Sequence, residues 1–369
     1  MSAACESWNE AITEPIDQSE PTAVAGSNHT GRLRRIASRV VMVVVWFNVL
    51  LLLLWSVGAV YYLRYLPGPL NVLLAIAYCA GVVLLWRRCA NKRKWLTMAA
   101  ASVVVVYVLT VFQRPSHDRD WDDDHSRLPA VQISGDEVTV QDFRYCRYSS
   151  ELEYDTQHSK LTFELSRLSK VWFGVQRFTP LEGLAHTFLS FQIDRPDGPE
   201  YFCLSVEIRR EKGEAFSPIK GFYRQYELIY VLADERDVIG VRTVHRPNDR
   251  VFLYPVNATA AEVQSLFRDV ADRVEAIRAR PEFYNSFLNN CTNNIADHTS
   301  RLTPKPINPL DPRLVIPGYS DRLAFSKGLI GDPNGDFDTI QETFRIDELA
   351  RRAGLTEAFS NAIRGELPE

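Results

Sequence analysis

Three apolar runs, over residues 40–63, 70–86 and 95–112, constrain this 369-residue chain more than any other feature. Each approaches the roughly 20 residues that cross a bilayer as a helix, the conformation that satisfies every backbone N–H and C=O without water. Arg32, Arg34, Arg35 and Arg39 precede the first run, and Arg87, Arg88, Lys92, Arg93 and Lys94 fill the loop between the second and third. Between the first and second there is only Arg64, beside the turn Pro67-Gly68-Pro69. Basic residues concentrate on the cytoplasmic side, so the N-terminus and the second loop are expected inside, and three crossings leave everything after Phe112 outside. Trp46, Tyr61, Tyr62, Trp86 and Trp95 suit an interfacial belt, although Trp46 fits a neighbouring helix equally well. Residues 1–39 read as a disordered cytoplasmic tail, with no cleavable signal peptide expected because the first apolar run is too long for one.

A net charge of −4 with the basic residues gathered beside apolar runs excludes a nucleic-acid partner. Residues 114–130 hold His117, His125 and five aspartates in close succession. Without a scaffold to fix ligand geometry this run reads as a solvated acidic linker rather than a metal site, and no metal or cofactor is expected. The alternating oxygen ligands of Asp332, Asn334, Asp336 and Asp338 likewise read as a turn, since Gly335 is misplaced for a calcium loop. Arg209, Arg210, Lys212, Arg224, Arg236 and Arg246 read as partners of nearby carboxylates rather than as a basic rim for lipid head groups.

Residues 131–369 have an α+β pattern. Strands are expected over 138–144, 162–165, 171–175, 186–193, 201–209 and 226–232 from their alternation and β-branched or aromatic content. Val263, Leu266, Phe267, Val270 and Val274 make a helical stripe over 260–280, with Thr259 and Glu262 placed as a capping box and Pro281 as the stop. A last helix is expected over 347–363, interrupted at Gly354.

Reaction chemistry has one evident home, Asn289-Asn290-Cys291. If either Asn caps a helix beginning at Cys291, the first-turn N–H groups point at the sulfur, favour the thiolate and can hold an oxyanion, helped by the Asn289 or Asn290 side chain. Of the cysteines beyond the apolar runs, Cys146, Cys203 and Cys291, at most two can pair, and Cys291 is the candidate for the free thiol. A thiol nucleophile needs a base. His298 lies two turns further down the same helix, about 10 Å away. His158 and His245 fall in expected loops, which leaves His186 at the start of a strand. On that strand His186, Ser190 and Gln192 share a face, and on the next Cys203, Ser205, Glu207 and Arg209 do. If the strands are neighbours, Glu207 can accept the second N–H of His186 and stabilise an imidazolium beside a thiolate; Ser190 and Gln192 are alternatives for that third role. Each residue also has a structural reading: a buried inert thiol, a strand-end histidine, a glutamate in an ion pair.

Ala185-His186-Thr187-Phe188-Leu189-Ser190-Phe191, the run from Ser205 to Glu214, Arg224 to Tyr230 with Asp234 to Asp237, Tyr284-Asn285 through Asn290-Cys291-Thr292, and Phe337-Asp338-Thr339 with Glu342 to Arg345 resemble the Lnb N-terminal periplasmic domain family. The resemblance, over residues 131–345, implies a circularly permuted papain-like domain of antiparallel sheet plus helices, in which the histidine strand precedes the cysteine helix. It also implies a bacterial periplasmic domain and thioester-forming acyl transfer on lipid or lipoprotein substrates. The three spans in front are a departure from the family, and with their orientation they make the expected protein a multi-pass one of the inner membrane with its C-terminal domain in the periplasm. A cell-wall peptidase or amidase of the same fold is the second expectation, and a non-catalytic envelope binding module the third.

Overall fold

The computed structural model describes residues 27–303, 305–365 and 367–368, so the tail expected over 1–26 lies outside the described residues. Residues 27–39, assigned to that tail on sequence, are helical: α1 runs Ser27–Tyr61, followed by α2 (Gly68–Arg88) and α3 (Lys92–Val111). All three are long and apolar enough to cross a membrane. Asn91 caps α3 through its side chain, which accepts from the N–H groups of Arg93 and Lys94. Trp46 turns inward to meet Trp86 at 5.2 Å and Trp95 at 5.7 Å, whereas Val43, Leu54, Leu73 and Val104 point outward.

The rest is a mixed α+β domain around an eight-stranded sheet. In chain order the strands are β1 (Ala130–Ser134), β2 (Glu137–Tyr148), β3 (Tyr154–Glu164), β4 (Leu168–Arg177), β5 (Ala185–Arg195), β6 (Gly198–Arg209), β7 (Glu227–Asp234) and β8 (Arg250–Pro255). They lie in the order β1-β2-β7-β6-β5-β4-β8, with β3 on β2, and pair antiparallel apart from a short parallel contact of β2 with β7. The helices are α4 (Pro218–Phe222), α5 (Glu235–Thr243), α6 (Ala260–Ala279), α7 (Cys291–Thr299), α8 (Pro312–Val315), α9 (Ser320–Ser326), α10 (Phe337–Thr343), α11 (Asp347–Ala353) and α12 (Phe359–Ala362).

Strand alternation builds two cores. Leu189, Phe191, Leu204 and Val206 pack beneath α6 and α7 against Phe267, Val270 and Ile295. Phe188, Cys203, Ile229 and Val231 face the other way, against Val238 and Ile239 of α5, Ala350 of α11 and Phe359 of α12. Burying each such aromatic or aliphatic side chain stabilises the fold by about 1.5–3 kcal/mol. The capping box of Thr259 and Glu262 forms as expected, and Gly354, at φ 61°, breaks the terminal helix into α11 and α12.

Two of the differences from expectation bear on the site. His158 lies in β3 rather than a loop, and residues 114–130 are not a solvated linker: Trp121, Asp124 and His125 are buried. There the backbone pairs with the segment after β6, as Asp122 N–H donates to Arg210 C=O at 2.9 Å and Lys212 N–H to Asp120 C=O at 2.9 Å. Apolar Trp121 drives this packing under the Arg209 guanidinium, 4.2 Å above its ring.

One end of the sheet, where β5 and β7 begin and β6 ends, meets the outer ends of the spans. Arg64 donates to the buried Glu227 carboxylate at 2.8 Å and to the Gln225 carbonyl, while Gln225 Nε2 donates to the Tyr62 carbonyl at 2.9 Å. Tyr223 stacks on Tyr62 at 5.0 Å. A Cβ at Gly58 would lie 2.2 Å from the Tyr223 hydroxyl, so the glycine is what lets the ring lie against α1.

Candidate active site

Cys291 opens α7, and Asn290 is its cap: the Asn290 side chain accepts from Asn293 N–H at 2.8 Å while Asn293 Oδ1 accepts from Asn290 N–H at 3.3 Å. Asn290 Nδ2 also donates to the carbonyls of Ser286 and Leu314, at 3.0 and 3.1 Å. Asn289 Nδ2 donates to the Phe283 carbonyl at 2.9 Å and its Oδ1 accepts from Asn294 at 2.9 Å. Both amide side chains are thus committed to holding the loop and the cap, and neither is a spare oxyanion donor. The backbone N–H groups of Cys291 and Thr292 have no hydrogen-bond partner among the described residues, as first-turn groups do when nothing reaches them.

All three soluble-domain cysteines are unpaired. Burial pushes Cys146 up to about 12 and Cys203 well above the ordinary thiol value. Cys291, 4% exposed, instead lines an open cleft of about 740 Å³ together with His186 and Glu207. The two chain segments touch one residue further on, where Thr187 and Thr292 share a hydrogen bond of 3.2 Å between hydroxyls. The cleft lies at the span-facing end of the sheet.

Strand pairing places the histidine's partners. Phe188 is opposite Ser205 in the β5–β6 register, and continuing two residues sets His186 opposite Glu207. His186 Nε2 is 2.7 Å from Ser205 Oγ and Ser205 donates to Glu207 Oε1 at 2.7 Å, with Nε2 itself 3.9 Å from that carboxylate. Glu207 is therefore linked to His186 through Ser205 rather than by the direct contact that pairing of the two strands suggests. Ser190 and Gln192 do not serve: Ser190 bonds the buried pair of Glu235 and Arg364, and Gln192 donates to Asp194 at 2.8 Å.

Glu207 is a carboxylate, 12% exposed, with several donors. Arg242 Nη2 reaches Oε1 at 2.8 Å and His125 Nε2 reaches Oε2 at 3.1 Å, with Arg144 Nη1 at 3.8 Å. Burial alone disfavours its charge, yet the hydrogen bond from His125 and the guanidinium groups of Arg144 and Arg242 hold its carboxyl well below the usual range. An ionised carboxylate only accepts, so Ser205 spends its one proton on Glu207 and must accept from His186. His186 then carries its proton on Nε2 and keeps a lone pair on Nδ1, which makes no hydrogen bond among the described residues. Burial, and then the charge of Arg242, push the imidazole down to about 3 against the opposing pull of Glu207. The resting imidazole is neutral, with Nδ1 as its open acceptor, and not the imidazolium expected of a thiolate pair.

His125, Ser205 and Arg242 were missed on sequence. Ser205 shares strand parity with Glu207 and was legible in principle; His125 was assigned to solvated linker. His298 is structural, held between Asp269 at 2.7 Å and the Tyr230 hydroxyl at 2.9 Å. Arg210 pairs with Asp124 at 2.7 Å, Arg236 with Asp234 at 2.7 Å and Arg246 with Glu151 at 3.0 Å, as ordinary ion pairs. In the other acidic run, Asp332 accepts from Asn334 N–H and Asp336 caps α10, which makes it a turn.

Beside the polar cleft lies an apolar groove of about 430 Å³, walled by Phe216, Ile219, Phe222, Tyr223 and Phe287. Phe178, Ala185, Phe216 and Tyr284 line both spaces, so groove and cleft are neighbours that share one wall.

Comparison with protein families matches residues 154–318 to the Lnb N-terminal periplasmic domain. This segment belongs to that family. It contains β5, β6 and α7, and hence His186, Ser205, Glu207 and Cys291, while the spans and His125 precede it. Neither the curated proteins nor the solved structures returned a match. With three apolar helices ahead of an Lnb-type domain, the chain is a membrane protein with a periplasmic domain.

Proposed function

We propose that the Lnb-type domain is a cysteine acyltransferase, or acyl hydrolase, of permuted papain-like kind that works on lipid-linked acyl groups through a thioester on Cys291. The observation that carries this reading is the apolar groove that shares a wall with the Cys291 cleft and whose own wall residue Tyr223 stacks on the outer end of α1. An acyl chain leaving the bilayer surface meets the apolar walls of this groove beside the cleft that holds the sulfur, which favours its transfer by about 0.8 kcal/mol per buried methylene. In the inner membrane of a bacterium, with the N-terminus cytoplasmic, the groove opens at the outer leaflet.

His186 Nδ1 takes the thiol proton as the sulfur attacks the acyl carbonyl, and the C–O or C–N bond to the leaving group breaks as His186 returns the proton to it. The N–H groups of Cys291 and Thr292 hold the developing oxyanion. An amine, alcohol or water then takes the acyl group from sulfur by the same route in reverse. The polar half of the cleft, with Glu151, Arg246 and Asp249 on its wall, keeps a cell-wall peptide substrate as the second reading. Replacing Cys291 by Ser in the native host tests both. Altered lipoprotein N-termini by mass spectrometry support acyl transfer, altered muropeptides support the peptidase reading, and unchanged pools with stable protein leave a non-catalytic binding module.

A further inference from the structure

We infer that the segment joining the last span to the domain supplies a positioning residue, His125, to the Cys291–His186 site, so that the membrane tether is part of the active site. This rests on the thioester reading above.

The segment is fixed along its length. Ser116 N–H donates to Glu227 Oε1 at 3.2 Å, the carboxylate that also holds Arg64 of the loop between the first two spans. His117 Nε2 lies 2.9 Å from the Ile277 carbonyl, and Trp121 Nε1 donates to the His117 carbonyl at 2.7 Å. A 3-10 turn over Asp123–His125 then carries the imidazole into the cleft, where Arg209 Nε holds the His125 carbonyl at 2.9 Å. His125 is 2% exposed, and its Nε2 faces a carboxylate that can only accept, so this nitrogen carries the proton. Arg210 N–H, 3.5 Å from Nδ1, is placed as a donor to the other nitrogen.

The consequence is a directed chain. His125 fills Glu207 Oε2 and leaves Oε1 to receive Ser205, which in turn accepts from His186 Nε2. Without the His125 donor Oε2 is left with only Arg144 Nη1, at 3.8 Å, so the carboxylate is free to rotate toward that guanidinium, and the Ser205 hydroxyl loses the partner that sets its direction. The base on Nδ1 is then no longer held in one tautomer. His125 touches neither the sulfur nor an acyl group, so it acts through Glu207.

Full-length protein in lipid nanodiscs, tested as wild type, His125→Gln and His125→Met, separates donation from packing. Gln keeps an N–H donor and Met keeps only bulk. Two readouts are needed: the rate of Cys291 alkylation by iodoacetamide, followed by peptide mass spectrometry, and the kcat and KM of Cys291 acylation by a short-chain p-nitrophenyl ester. The expected result is a loss of about 10- to 100-fold in kcat and a slower alkylation for Met, with KM unchanged, and Gln within about threefold of wild type. Equal rates for Gln and Met, with wild-type melting, overturn the inference while leaving the thioester reading intact. Wild type that never acylates, but whose alkylation still depends on the His125 donor, refutes the thioester reading and supports the positioning role.

Discussion

Ser205→Ala removes the relay while leaving both ends of it in place. Ser205 is fully buried, and its hydroxyl makes two bonds of 2.7 Å, one from His186 Nε2 and one to the ionised Glu207. Deleting it abandons a charge-assisted hydrogen bond, worth about 1.5–3 kcal/mol, and orphans a buried N–H, at about 1–3 kcal/mol. Part of this returns as Nε2 lies 3.9 Å from Glu207 Oε1 and can close on it by a small rotation. A net stability loss of about 1–3 kcal/mol is therefore expected, read as a lowered Tm of the full-length protein. The catalytic effect is larger in proportion. Once Nε2–H is released, the tautomer with its proton on Nδ1 becomes accessible, and that form cannot accept the thiol proton. Losing about 1–2 kcal/mol of tautomer bias, the part that direct pairing with Glu207 does not restore, lowers kcat for Cys291 acylation by about 5- to 30-fold, with KM little changed. Acylation within about twofold of wild type, in a folded Ser205→Ala protein, refutes the relay.

Further predictions concern titration, docking and the cap. Because the folded His186 pKa of about 3 lies below the ordinary 6.5, the unfolded chain binds the extra proton; stability is unaffected above pH 6.5 and falls by a few kcal/mol as pH drops toward 3. His186→Gln should flatten that acid slope in melting experiments, and the acid limb of wild-type kcat/KM should lie below pH 5, not near 6.5. Gly58→Val forces Tyr223 out of its stack on Tyr62, at a cost of about 1–3 kcal/mol, and should raise hydrogen exchange across residues 114–126 and 223–227. Asn290→Ala removes the cap and two donors to carbonyls, and should lower stability by about 1–3 kcal/mol and slow Cys291 alkylation, whereas Asn290→Asp should preserve the cap alone.

Much of the architecture was legible because local signals agreed. The apolar runs, the alternation of β5 and β6, the Thr259 and Glu262 capping box and the Asn290 cap each name an element by a short-range rule. Strand parity brings His186 and Glu207 together once β5 and β6 are neighbours, and the motifs around them carry the resemblance to the family. What escaped depends on contacts between distant segments. α5 carries Glu235, Asp237 and Arg242 inside the protein, where Arg144 and Arg364 neutralise the acids at 2.6–2.9 Å and Glu207 takes the arginine, so its composition mimics an exposed turn. The acidic run before β1 looks solvated by charge count alone, yet Trp121 and the backbone pairing with 210–212 bury it and turn His125 inward. Asn289 and Asn290, read as oxyanion donors from their place beside the cysteine, are taken by carbonyls of the loop that only the fold brings near. Ser205 hid in plain view, since its role requires knowing that Glu207 is held ionised.

The central claim is a thioester on Cys291 formed from a membrane lipid. The direct measurement incubates the full-length protein in vesicles with a phospholipid of one defined acyl chain and weighs the peptide containing Cys291. The expected result is a mass increase of that acyl group, removed by hydroxylamine and absent in Cys291→Ser. An unmodified Cys291 in folded, membrane-inserted protein, or an acyl group found on another residue, contradicts it.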